Sequence, residues 1–109
     1  MAASGGGRGL VDALFKAAEK SGVQVRYGAW VRDLVHSDKG VSGVVARVDG
    51  VTQTIDAGAV VLACGGFEAN TEWRCRHLGR GWDLAKVRGT KYNTGDGLAM
   101  ALRIGAQPY

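Results

Sequence analysis

The chain has 109 residues, of which 46% are hydrophobic and 22% are charged, a balance typical of a folded protein and not of a disordered one. This length has room for one small domain, which excludes a cofactor domain and a separate substrate domain within the same chain. The net charge is +4, but acidic residues are interspersed among the basic ones and no aromatic recognition module accompanies them, so we expect no binding to nucleic acid.

The sequence shows no membrane segment and no metal or disulfide framework. No stretch is long and apolar enough to span a bilayer, and the N-terminal MAASGGGRGL lacks the apolar core of a signal peptide, so we expect a cytoplasmic protein. Cys64 and Cys75 have neither zinc spacing nor further partners, which favours free thiols and no bound metal. His36 and His77 are expected at the surface and not in catalysis.

The first half of the chain predicts a helix, a short strand and a meander. Apolar residues in GLVDALFKAAEKSG recur at helical spacing, and Gly22 follows the last turn as a stop signal. VQVRYG is typical of a short strand. Three further strands are predicted in AWVRDLVHS, VSGVVARV and VTQTIDA, with Asp49 and Gly50 as a hairpin turn. We therefore expect an antiparallel meander over about residues 30–56.

The second half predicts one buried strand and two helices. Residues 60–63 are all apolar, which suits a strand buried on both faces, and we expect AVVLAC to pair in parallel with VQVRY. A helix is predicted over about residues 72–78. After the loop GRGWDLAKVRGTKYN, the stretch TGDGLAMALRIGA predicts a second packed helix.

Glycines mark the places where a nucleotide could approach the backbone. A dinucleotide fingerprint needs a strand followed by GxGxxG, but in GGGRGL the third glycine is replaced by Leu10 and no strand precedes it. A self-contained Rossmann domain is therefore not expected. Gly65 and Gly66 either bring the backbone close to a ligand or make a tight turn before a helix, and the residues alone leave both interpretations open.

Three stretches occur in register: GGGRGLVDALFKAAEKSGVQVRYGAWVRDL, AVVLACGGFEAN and GTKYNTGDGLAMALRIGA. Together they resemble the FAD-dependent oxidoreductases of the fumarate reductase and succinate dehydrogenase flavoprotein superfamily, above all its tricarballylate dehydrogenase and 3-ketosteroid dehydrogenase branch. Cys64 departs from the small hydroxyl residue that is usual there. The resemblance implies an α/β fold, an incomplete Rossmann-like domain of the glutathione-reductase type with a three-stranded antiparallel meander inserted between parallel strands. Residues 1–109 would be its central part, without the upstream fingerprint and the downstream capping domain.

The resemblance also implies FAD as the cofactor and a set of residues around it. Val31 would hold the adenine through main-chain groups, and the residues after the apolar strand would lie beside the adenosine and pyrophosphate. The absence of side chains on two glycines at the start of the last helix would expose free amides there. For Asp96, both a flavin contact and a simple helix cap remain open. The implied FAD-binding residues are Val31, Ala63, Cys64, Gly65, Gly66, Thr94, Gly95, Asp96 and Gly97.

The implied reaction is hydride transfer between the flavin and a carbon–carbon bond of a small carboxylate or steroid-like substrate. In this superfamily the acid or base and the substrate clamp come mainly from the capping domain, so no catalytic residue is assigned and the isolated chain is expected to be inactive. Three residues near the C-terminal loop, Trp82, Arg88 and Tyr92, could approach the flavin or the substrate. Each residue type is more often found in surface or packing roles, so none is assigned to the site. The alternative function is a non-catalytic nucleotide-binding module or an inactive truncated gene product.

Overall fold

The computed structural model of the chain describes residues 5–109. The start of the N-terminal stretch MAASGGGRGL, for which no signal peptide was predicted, lies outside the described residues. The helices are α1 (Gly6–Lys20), α2 (Thr71–Leu78) and α3 (Asp96–Arg103), and the strands are β1 (Ala29–Ser37), β2 (Gly40–Val48) and β3 (Val51–Asp56). A short 3-10 turn occupies Trp82–Leu84. The predicted helices and the predicted meander are confirmed. Across residues 5–109, no helix is both long enough and apolar enough to cross a membrane.

The meander is an antiparallel sheet in the order β1-β2-β3. Asp49 and Gly50 join β2 to β3 with φ values of 48° and 86°, the left-handed pair that a two-residue hairpin turn requires. Gly43 is buried in β2, where an added Cβ would overlap the Ile55 carbonyl oxygen of β3. The β1–β2 register shifts between Val31 and Asp33, so β1 carries a bulge at this point.

The predicted pair of parallel strands does not form. Residues 23–27 and 59–64 belong to no ladder among the described residues. The prediction of a buried strand at residues 60–63 is wrong for this chain, because the Val61 side chain is 87% exposed. A strand that is apolar on both faces needs hydrogen-bonded neighbours and a covering layer on each face, but the described residues give this segment no ladder partner and leave Val61 uncovered.

The packed part of the molecule lies where α3 meets β1 and where α2 meets the 3-10 turn. Met100 of α3 is buried, and α3 lies against β1, where Arg103 pairs with the Asp33 carboxylate at 3.3 Å. Asn70 caps the N-terminus of α2, and its side chain accepts a hydrogen bond from the Trp73 N–H at 3.1 Å. By contrast, no described residue of α1 is buried. The chain therefore has a small core around α3 and a helix α1 that lies largely in solvent.

Candidate functional site

Two glycine-bearing turns that are distant in sequence meet in the structure. The first glycine turn, residues 64–67, follows the extended apolar segment, and the second glycine turn, residues 94–97, leads into α3. The Gly95 N–H donates to the Gly66 carbonyl at 3.1 Å, and the Ala69 N–H donates to the Asn93 carbonyl at 2.9 Å. These main-chain bonds bring the predicted FAD-binding residues of the two turns into one region, namely Cys64, Gly65, Gly66, Thr94, Gly95, Asp96 and Gly97.

The glycines of the second turn face the chain's own side chains. Gly95 has φ 89°, and a Cβ there would lie 2.9 Å from the Trp73 ring and 3.0 Å from the Phe67 Cβ. A Cβ on Gly97 would lie 3.0 Å from the Cys64 sulfur. Both glycines are buried, so their missing side chains are required by the packing of α3 against the first glycine turn and the Trp73 ring.

Asp96 uses its carboxylate in contacts with two other side chains. Its Oδ1 accepts a hydrogen bond from the Thr94 hydroxyl at 2.9 Å, and its Oδ2 accepts one from the Trp30 indole N–H at 3.3 Å. The cap position of α3 is Gly95, and no side chain hydrogen-bonds to cap this helix. The interpretation of Asp96 as a helix cap is therefore wrong, although its charge in the first turn still complements the helix dipole.

Val31 and Asp96 line the same cavity, although they are far apart in the sequence. This small cavity, of about 160 Å³, is bounded by the start of β1 and by α3. A larger cavity of about 760 Å³ lies next to it, and Trp30 and Asp96 line both. The lining of the larger cavity is Gly28, Ala29, Trp30, Lys91, Tyr92, Thr94 and Asp96.

Aromatic and basic side chains surround these cavities. The Arg32 guanidinium lies 4.0 Å from the centre of the Trp30 ring, and the Lys91 ammonium lies 5.3 Å from the centre of the Tyr92 ring. Trp30 and Tyr92 are 51% and 76% exposed, so the part of each ring that the cation does not cover is open to a ligand. The site thus combines flat apolar surfaces with positive charge and one carboxylate, which suits a ligand that has both ring systems and anionic groups.

The other predicted site residues lie outside the cavities. Ala63, Cys64, Gly65 and Gly66 line neither cavity, and the first three are exposed. Trp30 was missed by the sequence reasoning, although it directly precedes Val31 in β1. The signal available in the sequence was a tryptophan directly before the residue expected to contact the adenine, and its place in a strand gave it no functional assignment.

Comparison with known proteins identifies the family. Residues 1–109 match the family model described as FAD binding domain. The chain is 32% identical over 108 residues to 3-oxosteroid 1-dehydrogenase of Mycobacterium tuberculosis, covering 94% of this chain and 19% of that protein. It is 40% identical over 106 residues to 4-oxocyclohexanecarboxylate 2-dehydrogenase of Sinomonas cyclohexanicum, covering 93% and 18%.

A solved structure agrees with these relatives. The crystal structure of 3-ketosteroid delta1-dehydrogenase from Sterolibacterium denitrificans in complex with 1,4-androstadiene-3,17-dione superposes with a TM-score of 0.78 at 30% identity, covering 86% of this chain and 18% of that one. The chain spans about a fifth of the length of the curated relatives it matches. It belongs to the FAD binding domain family, and the resemblance to FAD-dependent oxidoreductases of the ketosteroid dehydrogenase branch is confirmed.

Proposed function

We propose that this chain supplies part of the FAD site of a dehydrogenase that acts on a carbon–carbon bond of a steroid or a cyclohexanecarboxylate. The family model supports the cofactor, and the names of the relatives support the two substrate classes. The observation that carries the proposal is the shared cavity of Val31 and Asp96, because it joins two residues that were assigned to the cofactor from separate stretches of sequence.

The residues around the cavities fit the chemistry of FAD. The larger cavity, at about 760 Å³, is within the usual range for small-molecule pockets, about 300–1,000 Å³. The open faces of Trp30 and Tyr92 can stack on a flat ring, and Lys91 and Arg32 can neutralise a phosphate. Asp96 can accept a hydrogen bond from a sugar hydroxyl on the lone pairs that Thr94 and Trp30 leave free.

The remaining assigned residues act through their backbone. Val31 would contact the adenine through its main-chain groups, next to the bulge that interrupts the β1–β2 ladder. The first-turn N–H groups of α3, which no side chain caps, would face polar groups of the cofactor. Ala63, Cys64 and Gly65 would offer an unpaired, exposed backbone. When bound, FAD supplies the hydride chemistry, while these residues bind and orient it.

We further propose that residues 1–109 form the central part of a larger Rossmann-like domain, in which residues 23–27 and 59–64 are parallel strands with neighbours on both sides. The accessible surface supports this, because it is 8894 Å² for an 11.4 kDa chain whose compact fold would expose about 5,800 Å². The radius of gyration, 16.7 Å, likewise exceeds the value of about 13 Å for a compact domain of this length. Catalytic groups would then come from other parts of that larger protein.

The test is an FAD titration of the ¹⁵N-labelled chain followed by NMR. We expect shift changes at Val31, Thr94 and Asp96 and none in β3, since β3 lies on the far side of the sheet from α3. ADP should reproduce the changes at the start of β1. Riboflavin, which lacks the adenosine and the pyrophosphate, should not. Shifts that avoid Val31 and Asp96 would show that the shared cavity is not the cofactor site.

A further inference from the structure

Glu68 stands at the junction of the two glycine turns, and none of the roles proposed above uses it. Its Oε1 accepts a hydrogen bond from the Asn93 side-chain N–H at 2.6 Å. This is the short distance of a charge-assisted bond between an amide and a carboxylate. The other hydrogen bonds across this junction come from the main chain or from Asn70, whose side chain donates to the Thr94 carbonyl at 3.0 Å.

Asn93 in turn fills the space beside Gly65. A Cβ on Gly65 would lie 3.0 Å from the Asn93 Oδ1 and 3.2 Å from its Nδ2, and Gly65 has φ 74°. The Asn93 side chain therefore sits between the first glycine turn and the Glu68 carboxylate. Because an ionised carboxylate can only accept hydrogen bonds, Glu68 determines that the amide nitrogen of Asn93 faces it.

The electrostatics agree with this arrangement. The hydrogen bond from Asn93, followed by a backbone hydrogen bond, lowers the pKa of the Glu68 carboxyl below its ordinary value. Glu68 is thus ionised at neutral pH, with its Oε1 accepting the Asn93 side-chain N–H. Its Oε2 also lies 2.8 Å from the position of a Cβ on Gly66, so the exposed carboxylate would have to turn aside to admit a side chain on that residue.

We propose that Glu68 is a positioning residue of the cofactor site, whose carboxylate holds Asn93 and thereby keeps the first glycine turn closed on the second glycine turn. The proposal rests on the proposed function, because it matters to the cofactor only if both turns face FAD. The contact is exposed, so its effect is on the local opening of the turns more than on the unfolding of the whole chain.

The experiment compares Glu68→Ala and Glu68→Gln with Glu72→Gln, a matched control in the first turn of α2 where the side chain is exposed. The first readout needs no flavin. It is the hydrogen exchange of the Ala69 and Gly95 N–H groups, which donate across the junction. We expect about tenfold faster exchange in Glu68→Ala, the scale of one lost hydrogen bond. Glu68→Gln, which keeps an acceptor oxygen, should recover part of the protection, and Glu72→Gln should match the wild type.

The second readout is the FAD dissociation constant from NMR titration, which we expect to rise by about tenfold in Glu68→Ala with an unchanged urea midpoint. Wild-type exchange at Ala69 and Gly95 in Glu68→Ala would overturn the proposal. So would faster exchange with unaltered FAD affinity. Flavin-dependent shifts in the wild-type chain that avoid Val31 and Asp96 would refute the proposed function, and the exchange data alone would then decide whether Glu68 holds the turns together.

Discussion

Arg74 offers the sharpest test of how this chain is held together, because it is a buried cation without a carboxylate partner among the described residues. It is 7% exposed, and its guanidinium donates to four carbonyl groups. Those of Trp82, Ala85 and Asp83 lie at 3.0, 3.3 and 3.5 Å, and the fourth belongs to Glu68. One side chain therefore ties α2, the 3-10 turn and the start of the loop after Phe67 together.

The expected cost of Arg74→Met follows from these bonds. The contact to Trp82 has an ordinary hydrogen-bond length, and a hydrogen bond to a charged group contributes about 1.5–3 kcal/mol. Removing the guanidinium also removes the free-energy cost of burying a charge, and the freed carbonyls of the exposed residues 82–85 can bind water. We therefore expect a net loss of about 2–4 kcal/mol, the range of a broken buried network. Arg74→Lys should lose nearly as much, since an ammonium cannot span carbonyls on two sides.

Urea unfolding and limited trypsin digestion measure the two consequences. The unfolding midpoint should fall in both Arg74 variants and stay unchanged in Arg76→Met, the control for an exposed arginine on the same helix. Cleavage after Lys86 should accelerate, while cleavage after Lys39 in the β1–β2 turn should not, because that turn lies in the separate meander. Equal midpoints for Arg74→Met and Arg76→Met would show that the four carbonyl contacts do not stabilise the fold.

Three further predictions address the site and the open surface. Gly95→Ala should lower the unfolding free energy by at least about 1–2 kcal/mol in urea melts, since φ 89° is strained for alanine and the new Cβ would press on Trp73; an unchanged midpoint would contradict this. Asp96→Ala, made in the complete flavoprotein, should weaken FAD binding about tenfold or more by titration, and an unchanged dissociation constant there would remove Asp96 from the cofactor site. The purified chain should be colourless and bind FAD weakly if at all, because its sequence contains no complete fingerprint. It should also self-associate through residues 59–64 in sedimentation experiments, and a yellow monomer would refute both expectations.

The elements that were predicted correctly are those whose signals are local. The hairpin at Asp49 and Gly50, the alternation along β1 to β3 and the spacing in α3 each depend on neighbouring residues, so a single sequence displays them. The strand at residues 60–63 depended on partners that only tertiary structure provides. Its apolar composition predicted burial, but the described residues supply no strand partner for it, and Val61 is left 87% exposed.

The site shows the same division between local and distant signals. Val31 and Asp96 were each chosen from their own stretch, and nothing in the sequence indicated that Trp30 would bridge them through its indole N–H. Arg74 was equally invisible, because a helical arginine between Trp73 and Cys75 has the pattern of a solvent-facing residue. Contacts between side chains that are far apart in sequence leave no periodic trace when only one sequence is read.

The glycines of TGDG have a different role in the structure from the one that the motif implied. Sequence reasoning attributed Gly95 and Gly97 to free access for a cofactor, yet in the structure Trp73, Phe67 and Cys64 occupy the space beside them. The helix start is still open in another direction, since its first-turn amides have no side-chain cap and Asp96 lines both cavities. The glycines can therefore serve the cofactor indirectly, by letting α3 approach the first glycine turn closely enough for Asp96 to reach Trp30. On this reasoning, a side chain at Gly97 should disturb the Trp30–Asp96 contact before it disturbs any ligand.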